Sequence, residues 1–382
     1  MIPSTRYLLS HIKDDLSDRM VFVGGPRQVG KTTLALQTLT PKNAKESHPA
    51  YLNWDSLADR KKLLNNHLPS KQSTIIFDEI HKFGEWRNLV KGYYDKHKSK
   101  ISFLVTGSAR LDYYRRGGDS LQGRYHYYRL FPFSLPEISK SPTPENLEQL
   151  LNFGGFPEPL LKADTRFHRR WLREYTSRVV YDDLRALESV RDVSKIELLL
   201  EHLPDCVASP LSIRSFSQLL SVSHESIEKW ISILERLYIV FRIPPYGHKN
   251  IRAVKKENKL YFWDWSRIEE AGQRFENLVA CQLLKYCCFI EDTEGFRMQL
   301  QFIRDTDKRE IDFVVLKDGK PEFAVECKLS DSKTSSKHGY FRERTDIPKF
   351  YLVHTGQTDH GNAETDQRVL PFIRFCEELE MP

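Results

Sequence analysis

The stretch Val21–Ala35, VFVGGPRQVGKTTLA, decides how the first part of the chain is read. Val21, Phe22 and Val23 have the character of a buried strand, and the glycine-bearing GGPRQVGKT follows without a break. Gly25, Gly30, Lys31 and Thr32 stand at the spacing G-x-x-x-x-G-K-[ST]. Glycine lets backbone N–H groups converge on an anion because no Cβ blocks the approach. Gly25, Pro26, Arg27, Gln28, Val29, Gly30, Lys31, Thr32 and Thr33 are therefore the expected cradle for the phosphates of ATP. Lys31 would set a positive charge over the outer phosphates, and the Thr32 hydroxyl would ligate magnesium. TTLALQTL reads as the helix whose positive end faces the anion.

A second apolar run, in STIIFDEIHKF, ends in two acids. Asp78 at that strand end is the candidate for the magnesium shell, and Glu79 for polarising a water against the terminal phosphate. AYLNWDS reads as a strand leading into a polar loop, and ISFLVTGSAR as a further buried strand ending in Thr106, Ser108 and Arg110. Ser108 is the candidate phosphate sensor, with a plain loop residue as the alternative. Arg124, Arg110, Arg115 and Arg116 are candidate positive contacts, within the molecule or across to a neighbour, and spacing does not choose among them. Strands alternating with helices behind such a loop predict a parallel three-layer α/β sandwich, ending near Glu137.

With 382 residues, two or three domains are expected, and 29% charged residues mark a folded composition rather than a disordered one. A net charge of +6 permits contact with nucleic acid or acidic proteins but singles out neither. The six cysteines, Cys206, Cys281, Cys287, Cys288 and Cys327 among them, form no CxxC spacing, which points to a reducing, cytoplasmic setting without metal or disulfide scaffold. The opening MIPSTRYLLSHIKDD is too short and interrupted for a signal peptide, and no window reaches the length of a membrane span.

SKSPTPENLEQ reads as a polar link, and LLNFGGFPEPLL as a helix broken by glycine and proline. FHRRWLREYTSRVVYDDLRAL is a long basic helix, with Arg169, Arg170, Arg173 and Arg178 facing either DNA, a neighbour's nucleotide or water. Next, Phe216, Leu219 and Leu220 mark one helix face, and Ser223 caps a second helix carrying Ile227, Trp230, Ile231 and Leu234. The strand YIVFRI, the basic loop GHKNIRAVKKENK and the strand LYFWD complete a winged-helix pattern. Its second helix offers Glu225 and Glu228, which would oppose phosphates, so packing or domain coupling ranks ahead of base reading.

From AGQRFENLVACQLLKYCCF onward the texture changes, with Phe275, Leu278, Val279, Leu283 and Leu284 outlining an apolar helix face. QLQFIRDTDKREIDFVVLKDGKPEFAVECKLS follows as two or three strands. Asp312 sits among apolar neighbours, while Glu326 and Lys328, two apart, share a strand face. Asp312 and Glu326 would hold one or two Mg²⁺ or Mn²⁺ ions, Glu276 would complete the set from the helix, and Lys328 would steady the attacking water. The alternative is an internal salt bridge in a silent site.

The order GPRQVGKTTL, IIFDEIHKF, LVTGSAR, SLQGR…YRLFPFSLPE, GGFPEP and REIDFVV…ECKLS resembles the prokaryotic AAA-type ATPases that carry a DUF4143 region with a restriction-endonuclease-like, PD-(D/E)xK core. The resemblance spans nearly the whole chain. It implies ATP and magnesium at Lys31 and Thr32, hydrolysis through Asp78 and Glu79, a sensor near Ser108 and a recurrent arginine at Arg124. In the last domain it implies Asp312, Glu326 and Lys328, with Glu276 as the helical acid. The expected domains are a P-loop ATPase (1–137), a helical and winged-helix segment (138–265) and a nuclease-like α/β domain (266–382). Together these lead to an ATP-hydrolysing switch coupled to a nuclease-like domain; the alternative is an ATP-regulated, non-catalytic DNA- or protein-binding module. The partners expected are nucleic acid, DNA ahead of RNA, and another protein or a second copy of the chain, but no membrane.

Overall fold

Apolar five-residue runs with no polar alternation require cover on both faces, and that is how they are used. In this computed structural model, which describes residues 6–39, 44–69, 71–107, 111, 121–179, 181, 192–247, 257–330 and 336–382, the chain divides into two compact units, Met1–Pro132 and Phe133–Pro382. In the first unit, β1 (Met20–Gly24), β2 (Tyr51–Asn53), β3 (Thr74–Asp78), β4 (Ser102–Thr106) and β5 (Tyr125–Arg129) form one sheet in the order β2-β3-β4-β1-β5. Every pairing is parallel, as the sequence pattern predicts for an α/β sandwich. All five residues of β1 are buried. Phe22, Phe77, Phe103 and Val105 pack with Trp86, Val90 and Tyr93 of the Trp86–His97 helix in one core. The register sets Asp78 beside Asn53 on one side and beside Thr106 on the other. The ends of three strands therefore converge at one edge of the sheet.

The second unit opens with helices Leu135–Ile138, Pro144–Phe153, Pro157–Lys162 and Thr165–Arg178. Gly154 ends the second of these at φ +72°, where a Cβ would lie 2.5 Å from Asp264 Oδ1, so only glycine fits. Serines start the Ile213–Leu220 and His224–Arg236 helices: Ser212 and Ser223 accept from the amides of Ser215 and Ser226 at 3.3 and 3.1 Å. Phe216 and Leu220 face inward, as do Ile227, Trp230, Ile231 and Leu234; Leu219, expected beside them, is 56% exposed. β6 (Val240–Ile243) and β7 (Lys259–Phe262) then pair antiparallel.

A six-stranded sheet closes the unit: β8 (Met298–Arg304), β9 (Glu310–Lys317), β10 (Lys320–Lys328), β11 (Phe350–His354), β12 (His360–Gly361) and β13 (Arg368–Pro371), in the order β12-β13-β11-β10-β9-β8. Asp318 (φ +51°) and Gly319 (φ +80°) make the two-residue Asp-Gly turn between β9 and β10. The 24-residue helix Ala271–Glu294 packs against β8 and β10. Lys285 on this helix is 1% exposed and pairs with Glu137 and with the Ser134 hydroxyl, so Glu137, where the sequence places the end of the first domain, lies in the second unit.

Breaking one side of a buried ion pair leaves an uncompensated charge, a loss of about 3–5 kcal/mol. Lys285→Met should lower stability by that order in urea unfolding followed by circular dichroism. Adding Glu137→Gln should restore most of it; equal stability of wild type and Lys285→Met would refute the pairing's weight.

Candidate functional site

The loop after β1 has the backbone its sequence calls for. Gly25 sits at φ +147°, and a Cβ there would lie 2.1 Å from the carbonyl oxygen of Leu130. Gly30 takes φ +98° as the cap of the Lys31–Leu36 helix, and Gln28 also enters the left-handed region at φ +61°. Lys31 is 7% exposed, its ammonium donating to the carbonyls of Gly25 at 3.0 Å and Pro26 at 2.7 Å. Arg6, a residue the sequence reading did not single out, donates to the carbonyls of Val29 (2.7 Å) and Phe131 (2.5 Å), bracing the loop from outside. Thr32 is half-buried and Thr33 exposed.

Asp78 is 3% exposed at the end of β3. Its Oδ2 accepts from the Thr32 hydroxyl at 2.8 Å and from the Tyr51 phenol at 2.5 Å, and its Oδ1 accepts from the Thr106 hydroxyl. Burial, then the Asp78 hydrogen bond, push the Tyr51 phenol far above its usual range, so it remains a donor. Tyr51 in turn accepts from Asn53 Nδ2 at 3.2 Å. Glu79, at φ +55°, lies 3.2 Å from Lys82, which also donates to Asp55 at 2.5 Å. Burial disfavours the Lys82 charge, but Asp55 and Glu79 outweigh it and raise its pKa. The donor set fits a triphosphate with its magnesium: a loop a Cβ would obstruct, a lysine folded over it, and a hydroxyl–carboxylate pair at its mouth. Gly25 to Thr32 would hold the phosphates, and Thr32 with Asp78 the cation shell. Arg124 pairs with Asp95 at 3.0 Å. Ser108, Arg110, Arg115 and Arg116 lie outside the described residues.

In the second unit the predicted acids separate into two groups. Lys259, fully buried on β7, has Glu310 at 2.5 Å, Glu276 at 3.2 Å and Asp312 at 3.9 Å around its ammonium. Tyr261 donates to Glu276 at 2.8 Å, and Asp312 accepts from the amide of Cys327 at 2.8 Å. Burial opposes the Lys259 charge, yet Glu276, Asp312 and Glu310 overcome it and hold the ammonium above its usual range. Burial first, and the Glu276 charge next, push Asp312 up to about 8. Glu326, 2% exposed, faces elsewhere: Lys328 at 3.0 Å, Lys337 at 3.3 Å and His338 at 3.3 Å.

The expected cation shared by Glu276, Asp312 and Glu326 is thus replaced by two ion-pair clusters, each already holding its own positive charge. Among the described residues no group of three His, Cys, Asp or Glu side chains is placed to hold a metal ion, so this donor set does not fit one. Lys259 and Glu310 escaped the sequence reading because no spacing ties Lys259 to acids on a later helix and strand. The one available signal was a lysine opening the apolar run KLYFWD.

The Thr165–Arg178 helix buries His168, Trp171 and Tyr175 and exposes Arg166, Arg169, Arg170, Arg173 and Arg178. A cleft of about 520 Å³ is lined by Arg170, Arg173 and Arg178 with Glu174 and Ser177. None of the six cysteines is in a disulfide; burial above all pushes the Cys281 and Cys327 thiols up, although Cys327 is only partly covered. The basic loop 248–256 lies outside the described residues, among which no helix is long and apolar enough to cross a membrane.

Three family models match in succession: an AAA domain over residues 17–139, a domain of unknown function (DUF8612) over 144–268, and a domain of unknown function (DUF4143) over 271–374. Two uncharacterised proteins of Methanocaldococcus jannaschii are similar, one 24% identical over 83% of this chain and 76% of its own, the other 22% identical over 86% and 78%. Among solved structures, the Thermotoga maritima RuvB Holliday junction branch migration motor matches at 15% identity and TM-score 0.32, over 62% of this chain and 87% of that one. A signal transduction ATPase with numerous domains from Pyrococcus horikoshii matches at 18% and 0.27, over 72% and 44%.

The Lys259 cluster carries a pH signature. Asp312 titrates near 3.8 when unfolded and about 8 when folded, so the folded chain keeps a proton that the unfolded chain gives up. That contribution is complete below about pH 4 and lost as pH rises to about 8, by up to about 1.4 kcal/mol per pH unit. Urea unfolding at several pH values should show the difference between wild type and Asp312→Asn shrinking over this window. A difference that grows with pH would contradict the cluster.

Proposed function

The chain belongs to the AAA-type ATPases, and on that premise we propose that it is a magnesium-dependent ATPase acting as a nucleotide-driven switch. The observation carrying this reading is the Thr32–Asp78 hydrogen bond beside a loop whose Gly25 admits no Cβ. By donating its proton to Asp78, the Thr32 hydroxyl leaves its lone pairs to a cation. Bound magnesium would supply charge stabilisation at the phosphoryl oxygens. Lys31 would exchange the carbonyls of Gly25 and Pro26 for phosphate oxygens, and Glu79, released from Lys82, would take the proton of the attacking water. Ser108 as sensor and Arg124 as a positive contact remain part of this reading, the latter after leaving Asp95.

For the second unit we propose a restriction-endonuclease-like scaffold that retains the Asp312, Glu326 and Lys328 pattern but binds DNA or protein rather than cutting. Lys259 is the observation favouring this over a nuclease: its ammonium already occupies the place beside Glu276 and Asp312 that a catalytic cation would need. The five exposed arginines of the Thr165–Arg178 helix are the proposed contact to DNA phosphates, ahead of RNA. The two capped helices with β6 and β7 are read as a winged helix serving coupling. Self-association and a cytoplasmic setting complete the proposal.

Steady-state ATP turnover with magnesium should fall at least a hundredfold in Lys31→Ala, in line with the loss of a transition-state charge contact; equal rates would reject the engine. Incubation of DNA and RNA with Mn²⁺ should give no cleavage that disappears in Asp312→Ala. Cleavage lost in that variant would restore the nuclease reading.

A further inference from the structure

Asp78 has an unusual set of partners for a buried carboxylate. Its donors are three hydroxyls, from Thr32, Tyr51 and Thr106. Neutral donors satisfy the lone pairs without cancelling the negative charge, which a lysine in their place would do. Thr32 belongs to the phosphate loop and Thr106 to the neighbouring strand β4, but Tyr51 comes from β2 on the other side of β3, outside either motif. It shares Oδ2 with Thr32, at 2.5 and 2.8 Å. A hydrogen-bonded file leads on from it: Asn53 donates to the phenol at 3.2 Å, and the Asn53 side-chain oxygen accepts from the amide of Asp55 at 2.8 Å, at the exit of β2.

We propose that Tyr51, oriented by Asn53, is a positioning residue for magnesium: it fixes the Asp78 carboxylate so that Thr32 and the cation shell meet it in one geometry. This deepens the ATPase reading and rests on it. With the phenol gone, Oδ2 keeps Thr32 alone, and the carboxylate can follow that hydroxyl as the loop moves. The phenol ring, 5% exposed, also fills core space, and Tyr51→Phe separates the two roles because it keeps the ring and removes only the donor.

The test uses the full chain, with ATP and magnesium chloride as probes. Calorimetry first asks whether wild type binds ATP more tightly with magnesium than with EDTA; if it binds neither way, the ATPase reading fails. Given binding, Tyr51→Phe should need about tenfold more magnesium for half-maximal affinity and turnover, the scale of one hydrogen bond to a charged acceptor. Its KM for ATP at saturating magnesium should stay at the wild-type value. Asn53→Ala should shift the magnesium midpoint in the same direction by less, and it carries the test should Tyr51→Phe fail to fold. Magnesium curves for a folded variant that superimpose on wild type, or a rise in KM with no change in midpoint, would overturn the assignment.

Discussion

A buried carboxylate met only by hydroxyl side chains is the constraint on which the first unit depends. Taking Asp78 out of water costs several kcal/mol unless its oxygens are hydrogen-bonded. Three hydroxyls meet that need without neutralising it. To bring hydroxyls from a loop, from β2 and from β4 to one carboxylate, β3 must lie between β2 and β4 with its end in register with both. The sheet order, the parallel pairing and the glycine-bearing turn after β1 can all be read as the scaffold that this one side chain requires.

The second unit solves a similar problem the other way. Glu276, Glu310 and Asp312 are brought together and their charge is met by a fully buried ammonium, Lys259, with Tyr261 as an added donor. The acids outnumber the cation, and Asp312 is held far above the usual carboxylate range. An arrangement of this kind is self-sufficient: it ties β7 to the helix Ala271–Glu294 and to β9, and leaves little charge for an incoming ion. The two sites use the same residue types, and what separates them is whether the compensating groups are neutral or charged.

Features set by neighbours in sequence were legible, and features set by neighbours in space were not. The phosphate loop spans eight consecutive positions, so its glycines, lysine and threonine declare themselves, as does an acid pair closing an apolar strand. The parallel α/β sandwich followed from the same pieces. Tyr51 lay in a stretch readable as a strand, but its phenol meets Asp78 only through the β2–β3 register, which no local pattern encodes. Lys259 is harder still, since its partners Glu276, Glu310 and Asp312 are drawn from a helix and a strand that follow it by different distances. Without it, Asp312, Glu326 and Lys328 read as a metal-dependent set; with it, they resolve into separate ion pairs.

The two acids at the end of β3 also differ in how firmly they are held, and the difference suits the roles proposed for them. Asp78 is enclosed, with both oxygens engaged, as a fixed point for a cation needs to be. Glu79 is partly exposed, in left-handed backbone, and tethered to a Lys82 whose side chain is 43% exposed and shared with Asp55. Such surface pairs contribute about 0–1 kcal/mol, so freeing Glu79 costs little. A proton acceptor that must approach water and withdraw again is served by a weak tether, and a stronger one would slow each cycle. Asp55, which shares Lys82, follows closely on Tyr51, so the exit of β2 reaches both acids: one through a phenol that locks, the other through a lysine that lets go.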